Sequence, residues 1–323
     1  MAAYFARRLL IAFPVLVGIT MAAFFVLSAA PGDPVLARLD PEVIARLTPE
    51  QIEARRRELG LDQPIPIRYA RWLADVLRGD LGYSVVSGRP IADEVAPRLG
   101  PSLLLMAAAA IIAICVGVPF GVASAVNQYG RLDYALSAAT ILLISTPAFV
   151  LALVALYVFG VTLDWLPVGE LYTFGKEDDI LDRLAHLTMP ALILGLVNAA
   201  LLMRYTRSAM LEVLASDFVT TARAKGLPGR VVLVRHALRN ALIPVITVLA
   251  IILPELVAGA VITETVFNWP GLGQLSVKSA ADRDPALMMG VILIVGVTTL
   301  TASILADLAY SVVDPRIRYV GRR

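Results

Sequence analysis

Gly175 and Lys176 stand side by side in "FGKED", the pair with which a phosphate loop cradles a nucleotide. Such a loop needs a further glycine five residues before Gly175 and Ser or Thr after the lysine, and Glu170 and Glu177 stand there instead. "PGLGQLS" lacks the third glycine of a dinucleotide turn and is not set between a strand and a helix. The chain contains no Gly-x-Ser-x-Gly elbow and no His-Glu-x-x-His helix. Its two histidines, His186 and His236, are far apart, and its one cysteine, Cys115, lies in an apolar stretch, which argues against zinc ligation and disulfides. No catalytic, cofactor-binding or metal-binding residue is assigned, and covalent chemistry by this chain alone is not expected.

The remaining ionisable groups of interest lie inside apolar stretches, where a charge is costly and marks a cavity or a partner. Glu255 is a candidate for a solute pathway. It would attract an ammonium group or pair with a polar group of another chain. Glu264, near the outer end of the same stretch, and Asp307 are read as structural. Ser145 and Thr146 precede Pro147; they are candidates for the pathway, with satisfaction of a kinked backbone as the plainer role.

Long apolar elements must position these groups. Of the 323 residues, 58% are hydrophobic, and the mean hydropathy is +0.77, well above soluble domains. A net charge of +2 gives no reason to expect nucleic acid as a partner. Spans of about 20 apolar residues are expected near Leu9–Ala30, Leu103–Val126, Ala135–Val161, Leu187–Met203, Leu242–Phe267 and Leu287–Val312. The fold class is therefore an all-α integral membrane protein of about six transmembrane helices. Pro119, Pro147, Pro190, Pro244 and Pro254 fall in or at the start of these spans and are read as kinks.

Arg7 and Arg8, Arg131, the group from Arg204 to Arg239, and Arg316, Arg318, Arg322 and Arg323 all fall on one side of such a bundle. The positive-inside rule makes that side cytoplasmic and places both termini there. Residues 1–30 are read as the N-terminus and first span, 31–100 as a small extracytoplasmic domain, 101–315 as spans two to six, and 316–323 as a cytoplasmic tail. The outer segment is expected to contain an amphipathic helix packed by Tyr69, Trp72, Leu73 and Leu77, then a glycine turn at "GDLGYS". It is either a solvated cap or a docking surface.

The largest cytoplasmic loop, 211–241, carries "DFVTTARAKGLPGRVVLVRHALRNALIP". Ser216 or Asp217 can cap a short helix, Gly226 can take a left-handed position at its end, and Pro228 prevents continuation. Phe218 is expected to be exposed on it. Basic charge follows from topology alone, but a capped helix bearing an aromatic suggests a partner. Arg235, His236 and Arg239 are read as a solvated or headgroup-facing side.

This loop resembles the coupling motif of permease subunits in binding-protein-dependent ABC importers, whose pattern is Glu-Ala-Ala, three residues, Gly, nine residues, Ile-x-Leu-Pro. Aligned on Gly226, Thr220, Thr221 and Ala222 occupy the opening triplet and His236 to Arg239 the close. Thr220 replaces the acid and Arg239 the proline, departures usual in the peptide-permease branch that "TARAKGL" and "RHALRNALIPV" resemble. The resemblance extends through "GLDQP", "GDLGYS", "STPAF", "TETVFNWPGLG" and "DPRIRY". It implies the type I importer permease fold, first-permease type, in a bacterial inner membrane. The implied partners are a second homologous permease, two ATP-binding cassette subunits that bind ATP and Mg, an extracytoplasmic substrate-binding protein, a di- or oligopeptide substrate, and membrane lipid. Asp217, Phe218, Thr221, Arg223, Lys225 and Gly226 would then couple to the ATPase. A secondary transporter working alone and a membrane-anchored interaction protein are the rival readings; no convincing internal repeat supports the first.

Overall fold

In hydrocarbon a backbone must satisfy its own polar groups, and helices do so within one segment. The computed structural model describes residues 2–29, 48–58 and 62–313. It is helical wherever the apolar windows lie. The helices are α1 (Ala2–Ala29), α2 (Pro49–Glu58), α3 (Ile65–Leu77), α4 (Ile91–Val126), α5 (Arg131–Ser145), α6 (Ala148–Ala155), α7 (Ile180–Leu214), α8 (Asp217–Ala224), α9 (Arg239–Val266), α10 (Leu272–Ala281) and α11 (Pro285–Val313). A π-helix, Leu156–Thr162, continues α6, and Gly229–Val231 with a second π-helix, Val232–Leu238, leads into α9. Five helices are long and apolar enough to cross a membrane, or six if α5 and α6 with its π extension count as one bent span.

That bend is 102°, far more than a kink. Pro147 forces the preceding residue out of the helical region, and Thr146 accordingly sits at φ −95° and ψ 126°. The Thr146 hydroxyl donates to the Leu142 carbonyl at 2.8 Å, so it does satisfy broken backbone, while Ser145 is exposed beside it. Pro190, Pro244 and Pro254 lie inside continuous helices.

The second span starts twelve residues before the expected Leu103, because α4 already begins at Ile91. Its first turns are polar, with Asp93 and Glu94 where acids favour a helix start. A hydropathy window registers only the apolar part of such a helix. Residues 91–100 are therefore the polar first turns of α4. Likewise α7 extends beyond Leu187–Met203 at both ends.

The described residues divide into two units, one made of 101–273 with 299–313, the other of 2–100 with 274–298. In the second unit α3 packs on α1. The Tyr69 hydroxyl donates to the Val17 carbonyl at 3.0 Å and lies 3.1 Å from the Thr20 hydroxyl, and Phe24, Tyr69 and Trp72 form an aromatic group. Tyr69 and Trp72 pack as expected, whereas Leu77 is 67% exposed. The expected turn at 79–84 holds Gly79 and Gly82, both at positive φ, and Gly88 beyond it is at positive φ as well. Asp284 caps α11 through the Leu287 amide and accepts from the Ser84 hydroxyl at 2.5 Å and the Val86 amide at 3.2 Å.

In the first unit α7 is the central helix, with Leu202, Thr206 and Met210 fully buried. Glycines admit it close to α4. A methyl at Gly117 would meet the Ala199 carbonyl at 2.8 Å, and one at Gly121 would meet Thr206 at 2.6 Å. Small residues at a helix crossing allow such approach in a membrane.

Candidate functional site

The short helix α8 follows α7 after only Ala215 and Ser216, so any displacement of α8 acts on the end of the central helix. Ser216 occupies the N-cap position in extended conformation. Its hydroxyl, however, donates back to the Val213 carbonyl at 2.6 Å and does not cap the helix. The helix keeps an acid, Asp217, in its first turn and a base, Arg223, in its last, each favourable to the dipole. Gly226 lies at φ +75° and its amide donates to the Arg223 carbonyl at 2.9 Å. Pro228 then starts the next helical segment. The expected stop is thus formed as the residue types require.

The two faces of α8 differ. Val219 and Ala222 are buried, and the helix rests on the π-helix Val232–Leu238 and the end of α7. Asp217, Thr221, Arg223 and Lys225 are exposed, and Phe218 is 46% exposed. Phe218 is thus held outward on a short helix whose other face is packed. The π-helix beneath it is a feature that often marks functional positions; "RVVLVRHALRNALIP" reads as ordinary amphipathic helix and gives no local sign of it.

At this same end, sequence reasoning missed Asp133. Its carboxylate is 3% exposed and accepts from Arg207 Nε and Nη2 at 2.8 Å each, from the Tyr129 amide at 2.9 Å and from the Ser124 hydroxyl. Every acceptor site is used, and α4, α5 and α7 are joined at one point. An acid at the flank of one span and an arginine one turn past the core of another were the available signals.

The opposite end of α7 is also tied down. His186 Nδ1 donates to the Gly169 carbonyl at 2.6 Å, and Nε2 lies 3.2 Å from the Thr173 hydroxyl and 3.5 Å from Asp182. This histidine fastens the loop 163–179. Among the described residues no group of three His, Cys, Asp or Glu could hold a metal.

Glu264 is fully buried, as a structural residue should be. It accepts from the Ser102 hydroxyl at 2.6 Å and the Gly273 amide at 2.7 Å, while Trp269 Nε1 donates to the Pro101 carbonyl at 3.0 Å. "NWPGLG" therefore folds over Glu264; a side chain at Gly271 would run into its carboxylate. Of the other candidates, Glu255 is on the backbone of α9 and Asp307 on that of α11, but both side chains lie outside the described ones. Ser145 and Thr146 stand at the break between α5 and α6. The described geometry does not join these residues into one site.

Comparison with known proteins places this geometry in context. Residues 117–319 match the family model described as binding-protein-dependent transport system inner membrane component, and residues 1–105 match the N-terminal region of such membrane components. The oligopeptide transport system permease protein AppB of Bacillus subtilis (strain 168) is 41% identical over 320 residues, covering 99% of this chain and 100% of the relative. The dipeptide transport system permease protein DppB of Alkalihalophilus pseudofirmus is 36% identical over 337 residues, at 99% and 100% coverage. The protein of the same name in Escherichia coli (strain K12) is 35% identical over 334 residues, at 97% and 98% coverage.

Proposed function

The chain belongs to the binding-protein-dependent transport system inner membrane components, and from that premise we propose that it forms half of the translocation pathway of an ATP-driven importer of di- or oligopeptides. It is a permease subunit and not an enzyme. A substrate-binding protein and an ATPase are its partners by family. The finer composition belongs to the proposal: a second homologous permease completes the pathway, and two ATP-binding cassette subunits bind ATP and Mg. The binding protein delivers peptide from the extracytoplasmic side. The relatives named for dipeptide and oligopeptide transport support the solute class.

The observation that carries the mechanism is the split of α8 into a buried face, Val219 and Ala222, and an outward face bearing Phe218. Phe218 enters a groove of the ATPase, Asp217, Thr221, Arg223 and Lys225 supply polar and charge complementarity, and Gly226 allows the turn. Closure of the ATP-loaded ATPase pair pushes α8 as a lever. Its buried face passes the motion to the π-helix and α9, and its short connection passes it to α7. The bundle then exchanges inward-open and outward-open states. On this reading the side bearing α8 and both termini face the cytoplasm.

Reconstitution tests the reading. Vesicles holding this chain, the second permease and the ATPase should take up peptide only with ATP inside the ATPase compartment and binding protein on the other side. Uptake by this chain alone, driven by an ion gradient, would make it a secondary transporter. Peptide uptake unaltered by deleting the gene would leave it a membrane-anchored interaction protein.

A further inference from the structure

We infer that the α8 end of the bundle holds a site for an anionic phospholipid, separate from the peptide pathway and independent of which solute is carried. A cleft of about 690 Å³ opens there between the last turn of α4, the end of α7, and the segments on either side of Gly226. That volume is in the range of small-molecule sites, ~300–1,000 Å³. Its wall is apolar, with Val126, Leu214, Val232 and Leu233, and Arg223 and Arg230 also line it.

Position and charge together select the occupant. The apolar spans Ile91–Val126 and Ile180–Leu214 end at the cleft, and the span Gly229–Ile252 begins there. The first two, helices of 36 and 35 residues, exceed the roughly 20 a span needs, and α7 reaches the cleft beyond Arg204 and Arg207. The cleft therefore lies on the headgroup side of the apolar stretches. The side chains of Arg223 and Arg230 make no hydrogen bond or ion pair with another described residue. Two guanidinium groups without a neutralising acid, beside an apolar wall at headgroup depth, fit a phosphate head joined to acyl chains. Free phosphate would meet the charges and leave the wall uncovered. The bound lipid would hold α8 against the ends of α4 and α7 and so set how firmly the lever is seated.

Native mass spectrometry of the purified full chain in detergent tests this, with phosphatidylglycerol and phosphatidylcholine as probes. The wild type should retain one phosphatidylglycerol at collision energies that strip phosphatidylcholine. Retention should fall about fivefold for each of Arg223→Gln and Arg230→Gln, and survive in part in Arg230→Lys. Val126→Trp, which fills the wall without altering charge, should lower it too. Equal retention in all variants would overturn the site. So would displacement of the lipid by millimolar inorganic phosphate, which would mark a free-anion site. A third contrary result uses Leu214→Cys in a Cys115→Ala background: protection from a thiol reagent only when the ATPase is docked would give the cleft to a partner protein.

Discussion

Arg207 on α7 holds Asp133 on α5 with two parallel contacts of 2.8 Å, across 74 residues of sequence. Fork-to-fork pairing of this kind fixes orientation as well as distance. Because Ser124 and the Tyr129 amide share the same carboxylate, the turn between α4 and α5 is fastened to the central helix close to α8. Motion delivered to the end of α7 must therefore carry that turn with it.

Removing one partner leaves the other poorly solvated and unpaired, a change that costs about 3 kcal/mol or more for a buried pair. Asp133→Asn should accordingly lower the stability of the purified chain strongly. Arg207→Lys, which keeps charge but loses the fork, should do less harm, and Asp133→Asn combined with Arg207→Gln should cost less than the sum of the two single changes. Thermal unfolding in detergent measures all of these. Additive losses would mean that the pair is not a unit.

At the other end of α9, the Glu264 carboxylate accepts from donors on Ser102 and Gly273. Glu264→Gln presents an amide NH₂ toward donors, and an unmade buried hydrogen bond costs about 1–3 kcal/mol. Gly273→Ala should be worse, since its methyl would stand 2.5 Å from the Val261 Cα, and backbone cannot swing away as a side chain can. Both variants should lose expression and thermal stability together. A stable Gly273→Ala protein with normal abundance would contradict the close approach.

The spans were legible because 18-residue apolar windows demand helix whatever their neighbours do. Gly226 was legible too, since a left-handed helix end favours glycine. Three features were hidden for physical reasons. The 102° break at Thr146 depends on what α6 packs against, and a Ser-Thr-Pro run is equally compatible with a mild kink. The early start of α4 is amphipathic helix outside the apolar window. Asp133 and Arg207 meet only because α5 and α7 pack together, and no local pattern announces a pair so far apart in the chain. Ser216 illustrates the opposite error: its type suits a cap, but its hydroxyl finds the Val213 carbonyl first.

Orientation is tested by single cysteines at Ser87 and Ser216 in a Cys115→Ala background. Ser87 lies in the exposed turn before α4 and Ser216 at the start of α8. With α8 cytoplasmic, an impermeant thiol reagent added to intact cells should label Ser87→Cys and spare Ser216→Cys. The reverse pattern would invert the topology and remove α8 from reach of a cytoplasmic ATPase.

Glu255 lies on α9 between two turns of apolar residues, where an ionisable group is costly unless it serves a cavity or a partner. Glu255→Gln keeps its shape and removes its charge. Uptake should fall, or preference among peptides should change, while the ATPase still co-purifies. Normal uptake of every peptide tested would take Glu255 out of the pathway.

The decisive prediction concerns α8 itself. Phe218→Ala removes the outward aromatic without touching the buried face formed by Val219 and Ala222, and loss of such an anchor costs about 2 kcal/mol or more at an interface. Gly226→Val acts differently. No atom lies within 4 Å of where its Cβ would stand, so the substitution meets no clash, and its whole cost is the φ of +75°, which a β-branched residue strongly resists. Gly226→Asn should be milder, because asparagine tolerates that region. Phe218→Ala and Gly226→Val should both insert and pair with the second permease, yet lose ATPase association or the coupling of hydrolysis to uptake. A loop needed only for topology would tolerate both, since neither alters charge. Membrane abundance, ATPase co-purification and peptide uptake measured on the same preparations separate the cases: normal abundance with wild-type uptake in both variants would show that α8 is not the lever.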